Sequence, residues 1–386
     1  MQPFTFHVVA LPHTQTTKQY NACAYTQKVI KFCAMMKSLG HKVYLYASEE
    51  NEAPCDELIQ IVSQAEQRQW FGEYDFTKQF FAIDWDVNKP HWQLPNQRAV
   101  KEITARAQAK DFVCLIGGVC QKSIADGLPK LMSVEFGIGY SGVFSRFKIF
   151  ESYAWMHYVY GLLGNDNGQA YDAVIPNYFD PKDFTLQTNK DDYFLFIGRF
   201  IERKGPHIAA EVTRRLRAKL VMAGQGVEEV DGSRIIGKEL TIEGEHIKHM
   251  GHATISQRDE LMRRAKAVFA CTTYIEPFGG TSIEPLFCGT PVITTDWGAF
   301  TETIEHGKVG YRTRTLGEAL WAAQHLDELL PPEKIREYAV ANYSMDRIKN
   351  LYQAYFEQLS TLWQDGWYSD WDNGIANLQR YRHLVP

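Results

Sequence analysis

Short apolar runs alternate with amphipathic helical stretches along most of this chain. Near the N-terminus, residues 4–11 have the pattern of a buried strand, residues 21–39 that of a helix, and residues 42–47 that of a second strand. Gly40 stands where that helix should end. The strands are continuously apolar, which is typical of parallel sheets that are covered by helices on both faces. The pattern therefore predicts an α/β fold that opens with a β-α-β unit.

The same alternation continues in two series. A polar connection over residues 178–192, which contains Pro181, separates them and predicts a domain boundary. We therefore predict an N-terminal domain over residues 1–180 and a C-terminal domain over residues 190–364. The remaining predicted strands cover residues 111–116, 131–136, 171–175, 193–197, 220–223, 267–271 and 291–295. The remaining predicted helices cover residues 206–217, 256–264 and 282–288.

Two aromatic-rich segments fall outside this pattern. Residues 66–98 show neither helical nor strand periodicity, so the pattern does not predict their path. Residues 365–386 include Trp367, Tyr368 and Trp371, a composition that is unusual for a disordered terminus. We expect this tail to dock back on the N-terminal domain.

Length and composition narrow the class of protein. A chain of 386 residues exceeds the size at which one hydrophobic core stops growing, which supports two domains. The formal net charge of -5, from 41 basic and 46 acidic residues, gives no global reason to expect a nucleic-acid or membrane partner. Seven scattered cysteines without a C-x-x-C pair favour reduced thiols over disulfides or structural zinc. With no signal peptide or membrane-spanning segment expected, we predict a cytoplasmic protein and leave peripheral membrane attachment open.

The strongest candidate for a ligand site is a pair of carboxylates, Glu276 and Glu284, on either side of Gly279-Gly280. A strand that leads into a glycine turn and a short helix places backbone N–H groups at the carboxyl edge of a sheet, where α/β folds bind phosphates. The nearby carboxylates can accept hydrogen bonds from hydroxyl groups. The motif therefore indicates a ligand with an anionic part and a polyhydroxylated part, as in a nucleotide sugar. Structural alternatives are a tight glycine turn and a capping box between Thr281 and Glu284.

Two cations follow the first strand of the second series. Arg199 and Lys204 precede Pro206, which suits the first position of a helix. Such a pair can neutralise a diphosphate, the guanidinium through two oxygens and the ammonium as a point charge. A solvated basic loop is the alternative, but the glutamate motif in the same domain favours the ligand site.

At these residues the chain resembles the retaining GT-B glycosyltransferases of glycosyltransferase family 4. The resemblance covers most of residues 193–312, and a weaker match extends to Leu39–Val43 and Ile175–Asn177. Its motifs are Gly198-Arg199, Lys204-Gly205, Glu276-Pro277-Phe278-Gly279, Glu284 and Cys288-Gly289-Thr290-Pro291-Val292-Ile293. The resemblance implies two Rossmann-like, doubly wound parallel-sheet domains that face each other across a cleft, with the acceptor held by the N-terminal domain.

The resemblance also implies roles for individual residues. Arg199 and Lys204 would hold the donor diphosphate, Glu276 would contact the donor sugar, and Glu284 would bind the ribose diol. Backbone amides that help to hold sugar and phosphate would come from Phe278, Gly279, Gly280 and Thr281. No metal or other cofactor is expected, because the two cations and a helix N-terminus supply the charge that a divalent ion would supply.

Two segments depart from the family pattern. The loop after the first strand, residues 11–20, lacks the glycines that many members have there, so phosphate contact from this loop is not expected. Many members also have a histidine at a strand end near the reacting sugar, and Glu135 stands in the corresponding segment here. Glu135 is therefore a candidate catalytic residue with Glu276, Arg199 and Lys204, although a structural strand-end acid is an equal alternative. His157 fits a helix-packing histidine better than a catalytic one.

The sequence thus predicts a metal-independent, retaining glycosyltransferase that moves a hexose-type sugar from a UDP- or GDP-linked donor to a hydroxyl acceptor. The alternatives on the same fold are a nucleotide-sugar epimerase and a phosphorylase, and a non-catalytic sugar-nucleotide-binding protein is a third. A nicotinamide oxidoreductase is disfavoured, since no G-x-G-x-x-G follows the first strand. The motifs do not specify the sugar, the base, the linkage or the oligomeric state. The acceptor stays open among a glycan, a lipid, a small molecule and a modified nucleobase.

Overall fold

A computed structural model describes residues 3–21, 23–73, 75, 81, 83–168 and 171–363. The docking predicted for residues 365–386 lies outside the described residues, as does part of the aromatic segment 66–98. None of the described helices is both long and apolar enough to cross a lipid bilayer.

The first half of the described chain forms a parallel sheet of seven strands, in the order β3-β2-β1-β4-β5-β6-β7. Its strands are β1 (Thr5–Val9), β2 (Lys42–Ala47), β3 (Glu57–Gln60), β4 (Phe112–Leu115), β5 (Met132–Ile138), β6 (Phe147–Phe150) and β7 (Asp172–Val174). The helices of this half are α1 (Ala24–Ser38), α2 (Gln64–Phe71), α3 (Pro90–Arg106), α4 (Lys122–Gly127) and α5 (Tyr153–Leu163).

The central strands of this sheet are buried because helices cover both of its faces. Phe6 and Val8 on β1 have no exposed surface, and they belong to a core that also includes Phe32 from α1. On the other face, Val9 packs in a second cluster with Ile103 from α3. This burial on both sides explains the continuously apolar strands and confirms the predicted α/β class.

The second half contains a parallel sheet in the order β13-β9-β8-β14-β15-β16 and a small antiparallel sheet, β10-β11-β12. The strands are β8 (Phe194–Ile197), β9 (Leu220–Ala223), β10 (Val227–Asp231), β11 (Arg234–Gly237), β12 (Thr241–Glu243), β13 (Ile247–His249), β14 (Val268–Ala270), β15 (Val292–Thr295) and β16 (Gly310–Thr313). The helices are α6 (Pro206–Leu216), α7 (Ile255–Arg264), α8 (Gly280–Phe287), α9 (Phe300–Thr303), α10 (Leu316–Gln324), α11 (Pro332–Tyr343) and α12 (Met345–Ser360).

The last described α-helix, α12, packs against the first sheet and not the second. Tyr352 and Phe356 are fully buried in the core of the first sheet, and the ring centroids of Phe356 and Phe6 are 4.7 Å apart. The prediction that residues 190–364 form the C-terminal domain is therefore corrected at its end. The apolar face of α12 completes the core beneath β1, so the chain returns to the first sheet after Ser344. The other domain bounds stay predictions.

Candidate ligand cleft between the two sheets

The two sheets border a cleft of about 740 Å³. Its first wall comes from α1 and from the segments that follow β5 and β6, and its second wall from the segments that follow β8, β9 and β14. Parallel α/β sheets bind ligands at the carboxyl ends of their strands, which is where these segments lie. All the predicted site residues except Glu135 line this cleft, namely Arg199, Lys204, Glu276, Phe278, Gly279, Gly280, Thr281 and Glu284.

The cation and the carboxylate predicted for the reacting end of the donor form an ion pair. Lys204 Nζ lies 2.7 Å from Glu276 Oε2, and Glu276 is only 7% exposed. Lys204 ends a short 3-10 turn, after which Gly205 adopts a φ of +74° and Pro206 begins α6. A side chain on Gly205 would overlap the Cys271 carbonyl, so glycine is required at this crossing.

The aromatic side chain of Tyr274 joins the cations of this wall. The guanidinium of Arg203 and the ammonium of Lys204 lie 4.7 and 4.9 Å from the centre of the Tyr274 ring. Burial raises the pKa of Tyr274, and the nearby charge of Glu276 raises it further. Burial lowers the pKa of the half-buried Arg199. This wall therefore holds partly desolvated positive charge, which favours an anionic ligand. The sequence motifs did not identify Arg203 or Tyr274.

The glycine turn holds Glu276 against the start of α8. Gly279 is the N-cap of α8 with φ +78° and ψ +56°, and a Cβ there would overlap the Phe300 ring and lie 3.1 Å from Glu276 Cγ. Gly298, at φ +55°, also lies close to Glu276, since a Cβ added to Gly298 would be 2.6 Å from the Glu276 backbone nitrogen. The first N–H groups of a helix have no partner within the helix, so α8 presents hydrogen-bond donors and positive potential at this point of the cleft.

The capping box predicted for Thr281 and Glu284 is wrong. The helix begins at Gly280 with Gly279 as its N-cap, so Glu284 is its fifth residue and lies beyond reach of the first N–H groups. Its Oε2 accepts a hydrogen bond from Arg258 Nη2 of α7. Glu284 and Arg258 both line the cleft, so this pair is available to a ligand. The sequence did not single out Arg258.

Phe278 is a core residue that also borders the cleft. It is 3% exposed and belongs to the core of the second sheet, where its ring centroid lies 6.3 Å from that of Phe179. It also borders the cleft beside Gly279. Core packing therefore fixes the position of the backbone that the resemblance assigns to sugar and phosphate binding.

Glu135, the remaining predicted catalytic residue, does not line the cleft. Its carboxylate is fully buried and accepts hydrogen bonds from the Tyr140 hydroxyl and from the backbone N–H groups of Phe144 and Ser145, at 3.0, 2.8 and 2.7 Å. Burial raises its pKa to about 7. The predicted strand ended at residue 136, whereas β5 continues to Ile138, which leaves Glu135 inside the strand. Its contacts are those of a structural acid that holds the loop after β5.

His157 does not reach the cleft either. It lies on the exposed side of α5 and borders a separate cavity of about 550 Å³. The prediction that it packs a helix is therefore wrong, while the preference for a non-catalytic role stays untested.

The first wall contains a buried ion pair that the sequence did not reveal. Lys28 Nζ of α1 lies 2.8 Å from Glu151 Oε2, and the two side chains are 3% and 5% exposed. The neighbouring Ser152 hydroxyl donates a 2.7 Å hydrogen bond across the cleft to the Pro277 carbonyl. Glu151 directly follows β6, a strand that the hydrophobic pattern missed. Recognition of that strand would have marked Glu151 as an acid at the carboxyl edge of the sheet.

Comparisons with known proteins match the part of the chain that forms the second wall of the cleft. Residues 180–343 match the family model for glycosyl transferases group 1. The chain is 30% identical over 153 residues to a phosphatidyl-myo-inositol mannosyltransferase of Mycobacterium leprae, covering 38% of this chain and 39% of that protein. It is also 30% identical over 124 residues to a glycogen synthase of Mycobacterium tuberculosis, covering 30% and 28%. The alignments thus span less than half the length of these relatives.

Solved structures match nearly the whole chain at low sequence identity. Sucrose-phosphate synthase from Thermosynechococcus elongatus superposes with a TM-score of 0.66 at 14% identity, covering 92% of this chain and 99% of that one. Anabaena HepE in complex with UDP-glucose gives 0.62 at 14%, covering 93% and 100%. AviGT4, a glycosyltransferase involved in avilamycin A biosynthesis, gives 0.61 at 18%, covering 93% and 98%. The chain therefore has the GT-B fold, and its residues 180–343 match the model of group 1 glycosyl transferases.

Proposed function

We propose that this protein is a retaining glycosyltransferase that moves a hexose-type sugar from a nucleoside-diphosphate donor to a hydroxyl acceptor. The observation that carries this proposal is the Lys204–Glu276 pair at the start of α8, with Arg199 beside it in the same cleft. A cation suits the diphosphate and a carboxylate suits the sugar hydroxyls, so one ligand that bears both groups can satisfy the pair.

Donor binding would rearrange this pair. When a diphosphate enters, its oxygens attract Lys204, and the Glu276 carboxylate becomes available to accept hydrogen bonds from the donor sugar. Arg199 and the N-terminus of α8 add positive potential on the same side. Glu284 would accept hydrogen bonds from the ribose diol, with Arg258 keeping its carboxylate in place. The donor would then extend from Glu284 at the ribose to Glu276 at the reacting sugar.

The transfer step needs charge stabilisation and positioning more than a protein base. The acceptor oxygen forms a bond to the anomeric carbon on the face from which the phosphate departs, and the bond between that carbon and the phosphate oxygen breaks. The acceptor proton passes to the departing phosphate oxygen, which gives the glycoside and a nucleoside diphosphate. Lys204 and Arg199 would stabilise the charge that develops on the leaving group, so we propose that no metal ion is required.

The nucleobase of the donor is the next property to test. HepE, one of the structural neighbours, is solved with UDP and with UDP-glucose. This makes a UDP-hexose the first donor to examine here, with GDP-hexoses as the second candidates. The acceptor hydroxyl would approach from the first wall of the cleft.

A panel of UDP-, GDP- and ADP-hexoses tests the proposal through thermal denaturation and nucleotide release. A ligand at one hundred times its Kd stabilises the folded state by about 2.7 kcal/mol, so the true donor should raise the Tm measurably. Arg199→Ala should weaken donor affinity by about ten- to one-hundred-fold, because it removes charge-assisted hydrogen bonds. Turnover should persist in EDTA, whereas loss of activity on chelation would refute metal independence.

The same panel separates the alternatives. Stabilisation without release of nucleoside diphosphate, with or without acceptors, would favour a non-catalytic binding protein. Conversion of the donor sugar without release of nucleotide would favour an epimerase. Release that requires inorganic phosphate would favour a phosphorylase. If none of these nucleotide sugars changes the Tm, the donor-site proposal is wrong.

A further inference from the structure

The Lys28–Glu151 pair leaves one carboxylate oxygen without a partner. Lys28 Nζ contacts Glu151 Oε2 and also donates a 2.9 Å hydrogen bond to the Gly137 carbonyl. Glu151 Oε1 is buried and has no hydrogen-bond partner among the residues that the structure describes. A buried acceptor without a donor is costly, and such groups in native proteins call for an explanation. Because Glu151 lines the cleft, a ligand hydroxyl can supply the missing donor once the groups that cover Oε1 shift aside.

The position of Glu151 places its carboxylate near the reacting end of the proposed donor. A Cβ on Gly139 would lie 2.7 Å from Glu151 Oε2 and 3.2 Å from Pro277 Cβ, so the two residues border the same narrow gap. The hydrogen bond from the Ser152 hydroxyl to the Pro277 carbonyl fixes this approach. Burial and the charge of Glu276 both raise the pKa of Glu151, which is consistent with two carboxylates on opposite walls of one site.

The surroundings of Glu151 suit a neutral sugar. Tyr25, Trp155 and Tyr158 line the same wall, and the ring centroids of Trp155 and Tyr158 are 4.8 Å apart. Aromatic faces offer apolar contact to a ring, and a carboxylate accepts hydrogen bonds from its hydroxyls. The ammonium of Lys28 is already engaged by Glu151 Oε2 and the Gly137 carbonyl, so a neutral hydroxyl suits Glu151 Oε1 better than a second anionic group does.

We propose that Glu151, together with Tyr25, Trp155 and Tyr158, forms the acceptor subsite for a neutral, polyhydroxylated sugar. Oε1 accepts a hydrogen bond from a hydroxyl next to the one that reacts. The reacting hydroxyl keeps its proton for the departing phosphate, so Glu151 orients the acceptor and does not act as a base. This inference rests on the proposed glycosyltransferase activity, because it assigns the acceptor to the wall opposite the donor.

Glu151→Gln tests the subsite, since it keeps the shape of the side chain and a contact to Lys28 while removing the carboxylate. The acceptor probes are methyl glycosides of glucose, galactose and mannose, with the methyl glycoside of glucuronic acid as an anionic probe. Donor hydrolysis without acceptor provides the rate that depends on the donor site alone. We expect kcat/KM for the neutral acceptor to fall about 10- to 100-fold, while hydrolysis and nucleoside-diphosphate affinity stay at wild-type values.

Two further variants control for folding and for loss of a buried charge. Asp172→Asn breaks a comparable ion pair on the same sheet, in which Asp172 Oδ1 lies 3.1 Å from Lys148 Nζ. Asp172 lies outside the cleft, so this variant should transfer sugar at the wild-type rate. Gly139→Ala leaves Glu151 intact but places a methyl group in the narrow gap, and it should block transfer while hydrolysis continues. Gly139→Ala provides the test if Glu151→Gln does not fold.

The outcomes separate this inference from the function on which it rests. Wild-type protein that neither binds nor hydrolyses any nucleotide sugar would refute the proposed function itself. If hydrolysis occurs but no neutral glycoside is accepted, or the glucuronide is preferred, the acceptor class is wrong. Unchanged transfer in Glu151→Gln, or an equal loss of hydrolysis and transfer, would overturn the assignment of Glu151 to the acceptor.

Discussion

The two glutamates of the motif differ in the cation that each one contacts. Glu276 pairs with Lys204 from the turn after β8, whereas Glu284 pairs with Arg258 from α7. The Lys204–Glu276 pair has side chains 18% and 10% exposed, so little water reaches it. Separating it without replacement partners would be costly, but a diphosphate and a sugar hydroxyl provide one for each ion. The arrangement therefore favours simultaneous binding of both parts of one donor.

Glu276→Gln should lower turnover by about 10² to 10³, because one preorganised contact to the transition state is removed. Nucleoside-diphosphate affinity should change little, since Gln still offers an oxygen to Lys204. Steady-state kinetics together with calorimetric binding would separate these two effects. Glu284→Gln is the matched comparison: it should weaken nucleotide binding about tenfold and leave turnover at saturation close to wild type. A Glu276→Gln enzyme with wild-type turnover would exclude Glu276 from the mechanism.

The motif residues could be predicted because they lie close together in sequence, beside a strand and a glycine turn. The residues that pair with them could not be predicted from the sequence. Arg258 and Glu151 come from α7 and from the end of β6, and only the tertiary fold brings them to Glu284 and to Pro277. Glu135 is the opposite case, because its sequence context favours a site while the residue lies within β5. Because β5 ends two residues later than predicted, Glu135 is a buried structural acid and not an acid at the edge of the cleft.

At the scale of elements, buried strands were predictable and polar ones were not. β2 and β9 have the predicted bounds, and both are largely buried. β3 has one buried residue, and β10 has an exposed surface along nearly its whole length, so neither produces an apolar run. The sheet against which α12 packs could not be predicted either, because an apolar face shows that a helix packs on a core but not which core.

The N-terminus of α8 shows how one backbone conformation organises the site. The predicted helix began at residue 282, whereas α8 begins at Gly280 because Gly279 takes up a left-handed conformation. This turn brings the chain from Glu276 into the helix within four residues. The carboxylate and the helix N-terminus are thus adjacent, which is the arrangement that a sugar phosphate needs.

Gly279→Ala should disrupt both stability and ligand binding. A non-glycine residue at this φ costs about 1–2 kcal/mol, and the added methyl group would also overlap Phe300 and press on Glu276. Chemical denaturation and donor titration would measure the two effects. Gly307→Ala is the control, because Gly307 has φ +77° but no atom within 4 Å of a Cβ. It should lose stability from backbone strain alone and bind donor normally. Equal behaviour of both variants would contradict the proposed role of the turn.

At the scale of the molecule, the chain crosses between the two sheets at two adjacent points. The Phe179 N–H donates to the Tyr343 carbonyl, and the Met345 N–H donates to the Phe179 carbonyl, both at 2.9 Å. The outgoing segment after β7 and the return into α12 are thus joined side by side. We infer that any opening of the cleft rotates about this double crossing, a hypothesis that identical scattering profiles with and without donor would contradict.

A carboxylate from the second half of the chain makes another contact with the first half. Glu302 of α9 accepts hydrogen bonds from the Tyr153 and Ala154 N–H groups, at 2.9 and 2.6 Å, at the N-terminus of α5. A carboxylate at a helix N-terminus is favourable, although solvent and salt weaken the interaction. Together with the Ser152–Pro277 hydrogen bond, this contact joins the two halves of the chain beside the cleft.

Glu302→Ala should therefore shift the protein towards an open cleft. Because Glu302 is solvent-exposed, we expect only about a two- to fivefold loss of donor affinity, together with a larger radius of gyration in solution scattering. Added salt should weaken donor binding less in the variant than in the wild type, since part of the salt-sensitive contact is already gone. Glu305→Ala is the matched control, because this exposed acid pairs with Lys308 three residues away and not with α5. An unchanged radius of gyration and unchanged affinity in Glu302→Ala, or equal changes in Glu305→Ala, would show that this contact does not govern closure.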